Sequence, residues 1–142
     1  MNVPHVARLL GGEKTLGRRV RTLDDLRRLV EAGLPIEALT RVVAHVSEPS
    51  DAGALRYRIV PRATLHRRKT QLSLEESERL ERLARVAAIA EDVWEDDDKA
   101  REFLGSPQPQ LGDRRPLDLA HTELGARQVE ELLMKLEYGL PA

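Results

Sequence analysis

The sequence predicts an all-α protein, either one compact unit or two small helical lobes that share one long helix. Three observations predict it. Apolar residues recur at helical spacing in segment after segment, and no stretch alternates as a strand would. With one Trp, one Phe and two Tyr, the core must come from Leu, Val, Ala and Ile, which suits helix-on-helix packing. The third observation is the run from Leu72 to Trp94, which contains neither Gly nor Pro. Ser73 with Glu76 three residues on makes a capping box there. Behind it Leu80, Leu83, Ala84, Ala87 and Trp94 form an apolar stripe, widened by Val86, Ile89 and Val93.

Residues 1–21 carry Pro4, Gly11, Gly12 and Gly17 around a short apolar patch of Val6, Leu9 and Leu10, and read as a mobile arm. Thr22 is the N-cap of the next helix, with Asp24 and Asp25 in its first turn and Leu23, Leu26, Leu29 and Val30 behind. Gly33 ends that helix as a left-handed cap, and Pro35 opens another whose face is Ile36, Leu39, Val43 and Val46. Glu48-Pro49 stops it. Ser50 is expected to cap a short helix reaching about Tyr57, which Gly53 weakens. Ile59-Val60-Pro61 is a tight connection into a helix running to about Lys69.

Beyond the long helix, Asp96, Asp97 and Asp98 precede Ala100, Phe103 and Leu104 in a short helix. Adjacent acids point in different directions, so the triplet reads as favourable charge at a helix start rather than a cation site. Residues 105–115, with Pro107, Pro109 and Gly112, form an ordered loop, and Pro116 to Ala120 a helical turn. Thr122 caps a last helix with the stripe Ala126, Val129, Leu132, Leu133 and Leu136. Gly139 closes it, leaving Leu140, Pro141 and Ala142 as a tail. Trp94 is expected to be buried packing.

The near-neutral total charge of −1 hides a polarity. Residues 1–71 hold fourteen Lys and Arg against seven Asp and Glu, and residues 72–142 hold nine against seventeen. Between Ala52 and Leu74 there is no acid at all, yet Arg56, Arg58, Arg62, Arg67, Arg68 and Lys69 fall there. A short helix, a tight turn and a second, basic helix is the arrangement of a helix-turn-helix reader of DNA. Leu65 would face inward while Arg62, Thr64, His66, Arg67, Arg68 and Lys69 reach a groove, arginine serving through its planar fork. A solvated basic face, or a patch meeting the acidic half of a second copy, is the alternative reading.

Several classes are excluded or unsupported. With no cysteine there is no disulfide framework, thiolate metal cluster or Cys nucleophile. His5, His45, His66 and His121 show no metal-ligand spacing, and neither a P-loop nor a G-x-G-x-x-G after a strand is present. Asp118 and His121 can share one helical face, with a surface pair the ordinary explanation. The expectation is a non-enzyme without cofactor or metal. The start lacks the apolar core of a signal peptide and no run approaches a membrane span, so a soluble, cytoplasmic protein is expected.

The order of parts resembles the antitoxins of the Xre/MbcA/ParS toxin-binding family, which pair with RES-domain toxins. The likeness begins near Leu9-Leu10-Gly11-Gly12 and passes through Gly33-Leu34-Pro35 to Arg62-Ala63-Thr64-Leu65-His66-Arg67-Arg68-Lys69. It continues through Leu72 to Leu80 and Leu83-Ala84-Arg85-Val86. Its most specific block is Pro107 to Gly112, Pro116-Leu117-Asp118-Leu119, Thr122-Glu123, Gly125-Ala126 and Glu137-Tyr138-Gly139. Asp113 departs from it, standing where family members often have a second Gly, and so does Ala120, where a larger apolar residue is common. The resemblance implies a homodimeric helical antitoxin, with an Xre-like helix-turn-helix module over residues 22–71 and a toxin-binding domain over 72–142. It further implies that the antitoxin binds its RES toxin through the C-terminal domain and represses its own promoter at operator DNA. NAD chemistry would belong to the toxin.

The expected toxin-binding residues are Leu117, Asp118, Thr122, Glu123, Glu137, Tyr138, Gly139, Leu140, Pro141 and Ala142. Leu117, Tyr138 and Leu140 would be apolar anchors. Gly139 would let the chain leave the helix, Pro141 would limit the entropy lost on docking, and the carboxylate of Ala142 could pair with an arginine. The rival reading is a stand-alone helix-turn-helix regulator whose C-terminal half only dimerises.

Overall fold

The long helix starts where its capping box predicts: the Glu76 N–H donates to Ser73 Oγ at 3.2 Å, and the Ser73 N–H to Glu76 Oε1 at 2.7 Å. In the computed structural model, which describes residues 1–67 and 70–139, every regular element among the described residues is helical. In chain order these are α1 (Val3–Leu9), α2 (Gly12–Leu16), α3 (Leu23–Ala32), α4 (Ile36–Val46), α5 (Pro49–Ile59), α6 (Arg62–Arg67) and α7 (Leu74–Trp94). Then come α8 (Asp97–Leu104), a 3-10 turn (Pro109–Leu111), α9 (Pro116–Leu119) and α10 (Glu123–Glu137). Among the described residues, extended pairing is confined to two isolated bridges, Pro35 with Gln71 and Gln108 with Arg114. None of the described helices is long and apolar enough to cross a membrane.

α7 is the axis. It packs against α1, α3, α4 and α5 on one side and α8 and α10 on the other. Leu80, Leu83 and Val86 supply its bulk, while Ala84, Ala87, Ala88 and Ala90 are buried and small enough for neighbours to come close. It ends at Glu95, whose φ of +52° turns the chain into α8. Trp94 is only partly covered: it stays 37% exposed, its ring tilted 45° against Phe103 with centroids 5.9 Å apart. It is a rim residue at the C-terminal end of α7.

Residues 1–21, expected to form a mobile arm, instead pack their apolar side chains into the core. Asn2 caps α1 by accepting the His5 N–H, and Val6 and Leu10 are fully buried, with Leu16 and Val20 nearly so. Two helices of seven and five residues are too short to show a period of their own, and their apolar faces are defined by α4 and α7. Pro49 also does more than end α4. It sits at the first position of α5, where its missing N–H costs nothing, and α5 runs on to Ile59.

The α3–α4 corner fixes where the basic segment rejoins the core. Gly33 has φ +100°, and a Cβ there would meet the Leu72 carbonyl oxygen at 2.6 Å. That close approach allows backbone pairing on either side: the Leu72 N–H donates to the Leu34 carbonyl at 2.8 Å and the Ile36 N–H to the Thr70 carbonyl at 3.0 Å. Beneath it, the Leu34 N–H donates to Ser77 Oγ at 2.8 Å, joining the corner to α7.

Candidate functional site

The basic stretch is displayed from a fixed base. Leu55, Ile59 and Val60 are buried, so α5 and the turn at Val60-Pro61 are anchored, while α6 has no buried residue. On α6, Arg62, His66 and Arg67 are exposed, Thr64 is half-buried, and Leu65 packs on the core as its inward orientation requires. The Arg62 guanidinium lies over the Tyr57 ring, 4.8 Å from its centroid, which holds its fork against the surface. The chain returns to the core at residues 70–72 through the pairing with the α3–α4 corner, so α6 is tethered at both ends. Arg68 and Lys69 lie outside the described residues.

Arg58 has a different task from the rest of the basic run. It donates to Asp118 Oδ1, and Arg115 grips the same carboxylate from the other side, with Nε 3.0 Å from Oδ2 and Nη2 3.1 Å from Oδ1. The remaining fork nitrogen of Arg115, Nη1, reaches Asp51 Oδ2 at 3.0 Å. Asp51 and Arg58 belong to α5, while Arg115 caps α9 and Asp118 lies within it. Two arginines and two aspartates therefore clasp the helix that carries the basic turn to the C-terminal half. The hydrogen bond from Arg115, above all, holds the Asp118 carboxyl below the usual carboxylate range, with Arg58 adding to it against the opposing effect of burial. The same bond to Asp118 pushes the Arg115 guanidinium up.

Other expected contacts are relocated. Leu117 is 1% exposed, so it is a core residue of this chain and not an available anchor. α9 turns its apolar side inward between α8 and α10, which its four residues alone did not dictate. Asp118 is engaged by the clasp. It does not pair with His121, whose Nδ1 is buried without a hydrogen-bond partner. Burial pushes the His121 imidazole below its ordinary value, and the positive charges of Arg58 and Arg79 push it the same way. Thr122 caps α10, its Oγ accepting the Gly125 N–H at 3.0 Å, and Glu123 is exposed beside Arg82 and Arg127.

The far end of α10 remains open. Glu137 is exposed and Tyr138 is 69% exposed. Met134, one helical turn before Tyr138, is 58% exposed. Leu136, expected in the buried stripe, stands 38% exposed, because the elements packed on α10 cover it only as far as Leu133. Gly139 adopts φ +67°, a left-handed conformation that a helix cannot continue through. Leu140, Pro141 and Ala142 lie outside the described residues. Between the 3-10 turn and α10 runs a cleft of about 600 Å³, lined by Pro109, Gln110, Gln128, Glu131 and Lys135 among others. Met134 was not among the expected anchors, although a methionine outside the core stripe of α10 was the signal available for it.

Both halves find counterparts among known proteins. Residues 25–85 match the family model described as the antitoxin Xre-like helix-turn-helix domain. Residues 90–139 match that of the antitoxin Xre/MbcA/ParS C-terminal toxin-binding domain. A protein of Yersinia enterocolitica named "Antitoxin Xre" is 34% identical over 115 residues, covering 78% of this chain and 77% of its own. One of the same name from Pseudomonas putida is 34% identical over 87 residues, which is 59% of this chain and 55% of the relative. The chain thus spans just over half the length of the second.

Proposed function

The chain belongs to the Xre/MbcA/ParS antitoxin family, an Xre-like helix-turn-helix domain followed by a toxin-binding domain, and on that premise we propose that it neutralises a RES-domain, NAD-degrading toxin and represses its own operon. Neutralisation runs through the open end of α10 and the tail, which cover the toxin's active site. Repression runs through α6 of a homodimer bound to operator DNA. The chain itself carries out no chemistry.

The observation that carries the reading is the opposition of two exposed surfaces on one frame. At one, α6 offers Arg62, Thr64, His66 and Arg67 with no acid in the segment. At the other, Met134, Leu136 and Tyr138 lie uncovered beside Glu131 and Glu137. Cations on a short tethered helix suit phosphate and guanine edges. Apolar anchors with acids around them suit a partner whose cleft binds the pyrophosphate of NAD and is therefore cationic. Complementary charge speeds the encounter and the apolar contacts hold the complex.

Co-expression with a RES-type toxin gene, sought beside this one, tests the proposal. The intact chain should restore growth, and deletion of residues 139–142 should abolish rescue. Replacing Arg67 and Arg68 by Ala should weaken operator binding and flatten its salt dependence while leaving rescue intact. A chain that binds DNA but never rescues growth is a stand-alone regulator, and the toxin assignment falls.

A further inference from the structure

On the face formed by α1, α4 and the end of α7, two imidazoles close on one carboxylate. His45 Nε2 lies 2.6 Å from Glu91 Oε2, and His5 Nε2 lies 2.8 Å from Glu91 Oε1. The other ring nitrogen of His5, Nδ1, is 3.0 Å from Asp92 Oδ1. The Glu91 side chain is only 9% exposed. Asp97, the first residue of α8, completes the group: single ligand atoms of His45, Glu91 and Asp97 all lie within 4.8 Å of one another. They face a cleft of about 880 Å³ that opens to solvent.

We propose that His45, Glu91 and Asp97 form a binding site for a divalent transition-metal ion of the zinc class, which staples α4, α7 and α8 together. The chemistry of the donors selects the ion. One imidazole and two carboxylates suit zinc and its neighbours, whereas magnesium and calcium favour oxygen alone. Three protein ligands leave a further position for water. Ligands at about 2.0–2.1 Å in tetrahedral array stand roughly 3.4 Å apart, so His45 and Glu91 part by somewhat less than 1 Å and the exposed Asp97 swings in. His5 serves as the outer partner. It holds the second oxygen of Glu91 and is itself held by Asp92, the carboxylate–imidazole relay that orients metal ligands.

Charge favours the ion as well. Glu91, Asp92 and Asp97 bring three carboxylates to the cluster, and His45 enters as a ligand once its Nε2 is free of a proton. Arg101 is the nearby cation, its charge felt at His45, but its guanidinium is engaged, donating to the His45 carbonyl at 3.1 Å and pairing with Asp98. Arg8 and Arg41 line the cleft, with Arg41 already paired to Glu37. The acidic triplet of α8 is not itself the site. Asp96 is consumed as the N-cap, accepting the N–H groups of Asp98 and Lys99.

The test is zinc titration of the purified full-length chain, followed by calorimetry and by thermal unfolding. One equivalent of Zn²⁺ should bind and raise the Tm, EDTA should reverse the rise, and Mg²⁺ should do neither. Asp97→Asn, an exposed change that should lower the zinc-free Tm by only a few degrees through the lost charge at the start of α8, should weaken zinc binding at least tenfold. His45→Gln should do the same and should also remove the visible absorption of the Co²⁺-loaded chain. Absence of a Zn²⁺-dependent shift in Tm at hundredfold excess overturns the site. So does zinc binding that survives both substitutions, which would place the ion elsewhere.

Discussion

Replacing Ser77 by Ala should cost about 1–2 kcal/mol of stability, although it deletes a single oxygen. Ser77 and Leu34 are both fully buried, and the Leu34 N–H has Ser77 Oγ, 2.8 Å away, as its acceptor. Leu34 sits in the α3–α4 corner, where no helical carbonyl replaces the lost partner. An orphaned buried donor costs about 1–3 kcal/mol. The higher helix propensity of Ala returns roughly 0.5 kcal/mol of this. For a chain of this length each kcal/mol moves the Tm by roughly 3–5 °C, so a fall of about 3–10 °C is expected.

Ser47→Ala provides the control. Ser47 is also buried, but its Oγ donates to the Val43 carbonyl, which the Ser47 N–H also reaches at 3.2 Å. Removing that hydroxyl leaves no buried group unpaired, and the change should stay within about 0.5 kcal/mol. Urea unfolding followed at 222 nm measures both variants. Hydrogen exchange should show faster opening of the Leu34 and Leu72 amides in Ser77→Ala alone. Equal stability losses in the two variants would refute the reasoning, since burial and not the orphaned donor would then set the cost.

A methyl group at Gly125 would lie 2.0 Å from the Leu119 carbonyl oxygen and 2.6 Å from Thr122 Oγ1, so Gly125→Ala must displace the α9–α10 connection. A loss of about 1–3 kcal/mol is expected in denaturant titration, with toxin binding impaired before DNA binding. Acidification should act in two stages. His121 titrates below its ordinary 6.5 in the folded chain, so from that pH downward the unfolded state binds more protons and stability falls, while above it the group has no effect. Asp118, held below 3.8 mainly by Arg115, contributes stability above that value, which is lost as pH falls through its lowered folded pKa. His121→Gln should therefore remove the first decline in a series of unfolding curves and leave the second. Tyr138→Ala should weaken toxin capture by about tenfold or more, in line with an exposed aromatic anchor, without changing the Tm. An unchanged affinity would move the contact elsewhere on α10.

Much of the helical plan was legible residue by residue, because a helix start is chosen within four residues. The box at Ser73–Glu76 closes as its spacing requires, and Thr22 and Thr122 cap α3 and α10. Polarity of charge is likewise a property of the chain alone, and so is the isolation of basic side chains between Ala52 and Leu74. Only tertiary packing decided which groups remain free to act. The apolar patch of residues 3–10 becomes core because α7 lies against it, and Leu117 is withdrawn because α8 and α10 enclose α9. Asp118 is claimed by Arg58 from sixty residues away, and His5 meets Glu91 across eighty-six. Local spacing sets which face a residue occupies on its helix. What covers that face depends on partners distant in the chain, and a charge or an anchor is available for function only where none arrives.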